Sequence, residues 1–244
     1  MPSHANDPRY SRNKSLISAE DQERLAEKHV LVVGCGGIGG YVIESLARLG
    51  VGKITAVDGD RFDETNLNRQ LFSSNETLGM PKAQAAMERL SIVNPNVEVT
   101  PVFERFGSEN ASWLLEGVDA VADALDNAES RGVLLRAAAE VGIPAVHASI
   151  AGWSIRVAVC MPEDEAIRAI ASYGGVGLEK ELGNPPFTAA TAGSIEAAQI
   201  AKILLGSEGV EPGTLLEYDL LRNTLHKIEV QARRNTATQH TVIR

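Results

Sequence analysis

The run His29-Val-Leu-Val-Val-Gly34-Cys-Gly36-Gly37-Ile-Gly39, continued by Tyr41 to Leu49, constrains the fold more than any other segment. A short apolar strand meets a glycine turn, and the turn opens directly into a helix. That is the first half of a βαβ unit, in the context a nucleotide-binding turn requires. Glycines allow the backbone to turn tightly and approach a phosphate. The helix N-terminus behind them adds unpaired N–H groups and a partial positive charge, worth up to ~2 kcal/mol to an anion. Asp58 closes a second strand, Lys53 to Asp58, where a carboxylate can accept hydrogen bonds from ribose hydroxyls. Gly34, Gly36, Gly37, Gly39 and Asp58 therefore predict a nucleotide site. On this motif alone NAD ranks ahead of ATP, and a purely structural turn ranks last.

The alternation continues. Helix is expected over Pro81 to Val93, Ser108 to Glu116 and Ser130 to Val141, and strand over Val97 to Phe103, Val118 to Leu125 and Pro144 to Ser149. Ser18 is placed to cap a short helix before the first strand, with Asp21 three residues on. Strands alternating with helices imply a mainly parallel, Rossmann-like α/β sheet with helices on both faces. The rule breaks after about Ile150. Trp153 to Met161 and Leu215 to Val230 read as strands without intervening helices, so antiparallel strands should extend the sheet in the C-terminal third. Thr191 to Leu205 is a strongly apolar helix. The expected organisation is one domain over 1–244: an arm and helix at 1–28, a nucleotide-binding core at 29–150, and an extension at 151–244. A stretch rich in charge and glycine, about 163–186, is long for a connector and is expected to be a flap loop.

Bulk properties exclude several classes. The 244 residues carry a formal charge of -9, which disfavours nucleic acid as the main partner, since phosphate backbones need a basic surface. Two cysteines, Cys35 and Cys160, cannot make a disulfide scaffold, and no C-x-x-C pair exists. No run reaches membrane-span length and the N-terminus is polar, so a cytoplasmic protein without membrane attachment is the default reading.

The segment after Asp58 separates ATP from NAD. Asp58-Gly-Asp60-Arg-Phe-Asp-Glu-Thr-Asn66-Leu-Asn-Arg69-Gln70, followed by Lys82, is dense in groups suited to a triphosphate. Arg69 offers a planar fork of donors for phosphate oxygens, Lys82 a compact cation, and Asn66 and Gln70 neutral hydrogen-bonding groups. A dehydrogenase needs only a ribose partner here. A second acidic cluster, Asp123-Ala-Leu-Asp126-Asn127, ends the fourth strand. In open parallel sheets ligands bind beyond the carboxyl ends of the strands, so Asp126 and Asp58 should face one crevice. A carboxylate beside a triphosphate is tolerable with Mg²⁺ between them. Asp126-Asn127 has an alternative reading as the N-cap of the following helix.

In order, GCGGIGG, VDGD, TNLNRQLF, GMPKA and DALDN resemble the MoeB/ThiF/HesA group of the ubiquitin-activating-enzyme superfamily. The likeness runs from about Arg9 to Leu205. It implies a homodimer that binds ATP under the glycine loop, with Asp58 on the ribose, Asn66, Arg69 and Lys82 on the phosphates, and Asp126 on Mg²⁺. Arg9-Tyr-Ser-Arg12 resembles the family's R-Y-x-R motif, whose last arginine reaches across the dimer, so Arg12 becomes a candidate arginine finger. The implied reaction is adenylylation of the C-terminal glycine carboxylate of a ubiquitin-like sulfur carrier ending in Gly-Gly. Arg12, Arg69, Lys82 and Asp126 would carry the catalysis.

The sequence also departs from its relatives. The two C-x-x-C pairs that bind structural zinc in many of them are missing, so no zinc is expected. The loop Tyr173 to Asn184 has no cysteine to bond the carrier, which makes a separate sulfur donor necessary. Three rivals remain: an NAD-dependent oxidoreductase, for which the scattered histidines offer no obvious partner pair; an ATP-dependent tRNA-modifying dehydratase of the same superfamily; and a non-catalytic scaffold.

Overall fold

A computed structural model describes residues 6–173 and 178–230. The ends of the expected domain, 1–5 and 231–244, and the middle of the expected flap, 174–177, lie outside the described residues.

Eight strands form one sheet in the order β3-β2-β1-β4-β5-β6-β7-β8. They are β1 His29–Val33, β2 Lys53–Val57, β3 Glu98–Val102, β4 Ala120–Asp123, β5 Ala145–Ala151, β6 Ser154–Cys160, β7 Thr214–Asp219 and β8 Thr224–Glu229. The first five are parallel to one another; β6, β7 and β8 add on antiparallel. The switch from βαβ crossovers to direct connection falls at the β5–β6 turn, as the loss of helical periodicity after Ile150 predicts. The helices are α1 Ala19–Ala26, α2 Gly39–Leu49, α3 Lys82–Val93, α4 Ala111–Leu114, α5 Ala128–Glu140, α6 Glu165–Tyr173, α7 Leu178–Leu182 and α8 Pro186–Leu205.

Because β1 and β4 are buried on both faces, the sheet divides two apolar cores. Val30, Val32, Ile43, Leu46, Ile54, Leu90 and Ile200 fill one, beneath α2, α3 and α8. Leu31, Val33, Leu114, Val121, Leu135 and Ile167 fill the other, beneath α4, α5 and α6. A strand with apolar side chains on both faces is what an unbroken Val/Leu run encodes.

The expected flap loop is mostly helical. Glu165–Tyr173 and Leu178–Leu182 form α6 and α7, and Ile167 and Ala171 on α6 are buried in the second core. Charge and glycine content suggested a loop, but the apolar residues of α6 recur at helical spacing and find a partner in α5. The following helix also starts earlier than expected, at Pro186, a position proline favours because its missing N–H would be unpaired there.

The N-terminal segment docks rather than trailing free. Ser18 caps α1 by accepting from the Asp21 N–H. Tyr10 is buried, and its hydroxyl accepts a hydrogen bond from the Asn94 side chain at 2.9 Å. The Tyr10 ring lies against Gly50, at the end of α2 remote from the glycine turn. No described helix is long and apolar enough to cross a membrane.

Candidate active site

The strand order reverses beside β1, where successive crossovers leave in opposite directions and open a crevice above the carboxyl ends of the strands. A cavity of about 450 Å³ occupies that place. Gly34, Gly36, Gly37, Asp58, Asp60, Arg69, Gln70, Lys82, Asp126 and Asn127 line it, so residues far apart in sequence converge on one space.

The glycine turn is built by close approach. A Cβ on Gly39 would fall 1.7 Å from the Gly34 carbonyl oxygen, and Gly34 adopts φ +97° with no room for a side chain against Ala124. Gly39 does not line the cavity; its contribution is to let α2 start directly against the end of β1. Asp58 then fixes the turn. Its two oxygens accept from the Cys35 N–H at 2.8 Å and the Asp60 N–H at 2.8 Å. Burial raises the Asp58 pKa, opposed by the Cys35 N–H and the Lys82 ammonium.

Lys82 opens α3, is almost wholly buried, and places its ammonium 3.7 Å from Asp60. Asp60 also accepts from Arg105 at 3.0 Å. The guanidinium of Arg69 donates to the Thr65 carbonyl at 3.0 Å and to Asn68 at 2.8 Å. Gln70 lies against Gly36, and its buried Oε1 has no hydrogen-bond partner among the described residues. An orphaned acceptor beside a glycine turn is a cost that a ligand donor or water would remove.

Asn66, Asn127 and Arg12 stand apart from these groups. Asn66 is buried outside the cavity lining, and its carboxamide is spent on the turn around it: it accepts from the Asp63 N–H and donates to Asp63 and Thr65. Asn127 does line the cavity, but its side chain caps α5 by accepting from the Ser130 N–H at 2.8 Å. Arg12 is exposed two residues beyond Tyr10, at the far end of α2, and does not line this chain's own cavity. An eleven-residue helix is about 16 Å long. That length separates Arg12 from the cavity of its own chain.

Asp126 is exposed on the cavity wall. Among the described residues no group of three His, Cys, Asp or Glu side chains could cage a metal. Mg²⁺ does not need such a cage, because it commonly binds through one or two carboxylates plus substrate phosphates. Asp126 suits that role, since Asp58 is occupied by backbone N–H groups and Asp60 by cations.

Several wall residues gave no sequence signal. Glu104, Arg105 and Phe106 close one side, and Ser149, Ile150, Ser154, Arg156, Lys180 and Glu217 form an arm leading away from the glycine turn over β5, β6 and β7. Below the cavity Asp123 is fully buried, accepting from His147 at 2.9 Å and facing Arg131 at 3.5 Å. Arg131 in turn donates to the carbonyls of Leu125 and Ala171, tying the Asp126 loop to α6. Both cysteines are buried. Burial raises the Cys35 thiol well above its ordinary pKa and pushes Cys160 up to about 12. Neither is a thiolate at neutral pH.

Glu196 on α8 is wholly buried, and burial followed by the charge of Asp123 raises its pKa well above the usual carboxylate range. The unfolded chain releases this proton near the ordinary carboxylate pKa, whereas the folded chain keeps it to higher pH. Native protein thus binds more protons in that window, and stability falls as pH rises through it. Glu196→Gln removes the effect. Thermal unfolding should show the variant gaining on the parent as pH rises above the ordinary carboxylate range; parallel pH profiles would contradict a raised Glu196 pKa.

The ThiF family matches residues 10–239. The sulfur carrier protein adenylyltransferase of Thermus thermophilus is 36% identical over 244 aligned residues, covering 91% of this chain and 87% of that protein. The tRNA threonylcarbamoyladenosine dehydratase of Haemophilus influenzae is 37% identical, but over only 49% of this chain and 46% of its own length. Among solved structures, E. coli MccB with ATP superposes with a TM-score of 0.76 at 20% identity, over 97% of this chain and 76% of that one, a likeness of fold.

Proposed function

The chain belongs to the ThiF family, and from that premise we propose that it adenylylates the C-terminal glycine carboxylate of a small ubiquitin-like sulfur carrier of the ThiS or MoaD type. ATP is the donor and pyrophosphate the product. The observation that carries this reading is the shape of the cavity: a polar cradle at the glycine turn, with Arg69, Lys82 and Gln70 in its wall, continues into an arm over β5, β6 and β7. A cradle alone would serve any nucleotide. The arm gives a second reactant a path to it.

In this reading Asp58 holds the ribose, and Arg69, Lys82 and Gln70 hold the phosphates below the N-terminus of α2. Asn66 acts at one remove, by shaping the turn that presents Arg69 and Gln70. Asp126 would hold Mg²⁺, which would supply neutralisation of phosphate charge. The carrier carboxylate attacks the α-phosphorus, a new P–O bond forms, and the bond to the β-phosphate breaks with its electron pair leaving on pyrophosphate. No protein nucleophile and no proton transfer is required, so catalysis is positioning and charge stabilisation. The resulting acyl-adenylate is open to attack by a sulfur nucleophile. With Cys35 and Cys160 both buried as thiols, that sulfur comes from a separate donor. A homodimer, with Arg12 supplied to each cavity by the second copy, completes the site.

The test is exchange of labelled pyrophosphate into ATP with ThiS- and MoaD-type carriers ending in Gly-Gly, with Asp126→Ala as control. Exchange that needs a carrier and is lost in the variant supports the reading and identifies the pathway. If ATP binds but no carrier supports exchange, a nucleoside carboxyl on tRNA is the substrate to try next and the carrier reading fails.

A further inference from the structure

Cross-strand register brings three polar residues into one row on the arm. Ser149 of β5 pairs with Arg156 of β6, and Arg156 pairs with Glu217 of β7. Residues directly opposite one another share a face of the sheet, and all three line the cavity. The same register continues from Glu217 to His226 on β8, the last strand of the sheet among the described residues. A polar track thus runs from the sheet edge toward the nucleotide end, and Leu178, Lys180 and Leu182 of α7 line the cavity beside it.

Arg156 and Glu217 are partly shielded, with side-chain exposures of 39% and 27%. Nε and Nη2 of Arg156 both lie 2.9 Å from Oε1 of Glu217. One edge of the guanidinium is therefore fixed, and Nη1 has no partner among the described residues. A planar donor group held by a carboxylate on one side and open on the other is organised to bind carbonyl or carboxylate oxygens. Its charge also offsets the repulsion between an incoming carboxylate and the triphosphate.

Resting on the adenylyltransferase reading, we propose that Arg156, oriented by Glu217, is the residue that receives the carrier's C-terminal tail. Its open edge binds main-chain oxygens of the Gly-Gly segment as the tail follows the track inward. Arg156 touches substrate; Glu217 is a positioning residue.

Carrier-dependent pyrophosphate exchange tests this with the carrier that supports it in the parent protein. Arg156→Gln should raise the KM for carrier about tenfold, the loss of one charge-assisted contact, with the KM for ATP unchanged. Glu217→Gln should raise the carrier KM less. The exchanged pair, Arg156→Glu with Glu217→Arg, restores the ion pair but moves the guanidinium one strand away, and should leave the carrier KM elevated. Unchanged carrier KM in Arg156→Gln, or full recovery in the exchanged pair, overturns the proposal while leaving the adenylyltransferase reading intact. Absence of carrier-dependent exchange in the parent protein overturns both.

Discussion

Replacing Lys82 by alanine lowers carrier-dependent exchange roughly a hundred- to a thousandfold, the scale seen when one preorganised charge is removed from a developing phosphate anion. The ammonium is nearly buried at the start of α3 and lies between the Asp60 carboxylate and the glycine turn. A cation in that position is already desolvated, so its interaction with phosphate is weakly screened. Asp60 holds it there before nucleotide arrives, which means no reorganisation at the moment of reaction. The same substitution removes the cation that acts on Asp58 and leaves Asp60 with Arg105 alone, so the fold needs its own check by urea unfolding. A folded Lys82→Ala protein that keeps exchange within tenfold of the parent would remove Lys82 from the phosphate site.

Gly39→Ala is expected to cost more than about 4 kcal/mol and to abolish nucleotide binding, the range reserved for severe steric conflict. Its added methyl would sit 1.7 Å from the carbonyl oxygen of Gly34, a backbone atom that cannot move without dragging β1 away from β4. Gly142→Ala is the informative comparison. Gly142 adopts φ +77° with open space around it, so alanine there meets only the left-handed backbone penalty of about 1 kcal/mol. Urea midpoints should separate the two variants widely. Equal midpoints would mean that the β1–α2 junction relaxes more easily than its close contact implies.

The nucleotide end of the site is legible in the sequence because it is written in local chemistry. Glycines at a strand–helix junction, a carboxylate closing the next strand and an Asn/Arg/Gln/Lys-rich segment each carry a requirement that few other contexts share. The βαβ core is legible for the same reason, since a doubly buried strand needs apolar side chains on both faces. Helix α6 was hidden by its neighbours: glycines and charges around Glu165–Tyr173 suggested a loop, while the apolar spacing that makes it a helix acquires meaning only against α5.

Asn66 shows the limit from the other side. Its residue type suits a phosphate contact, yet the 3-10 turn around it consumes the carboxamide, and only the fold reveals which demand prevails. Arg156 and Glu217 lie 61 positions apart, and nothing local says that they pair. The sequence by itself determined the parallel core, the glycine turn and most of the polar residues that line the cavity beside it, because these follow from periodicity and backbone geometry within short windows. Tertiary structure alone decided the register that aligns Ser149, Arg156 and Glu217, the burial of Glu196, and the distance of Arg12 from its own cavity. Those depend on which distant strands and helices meet, and packing settles that through contacts no local pattern encodes.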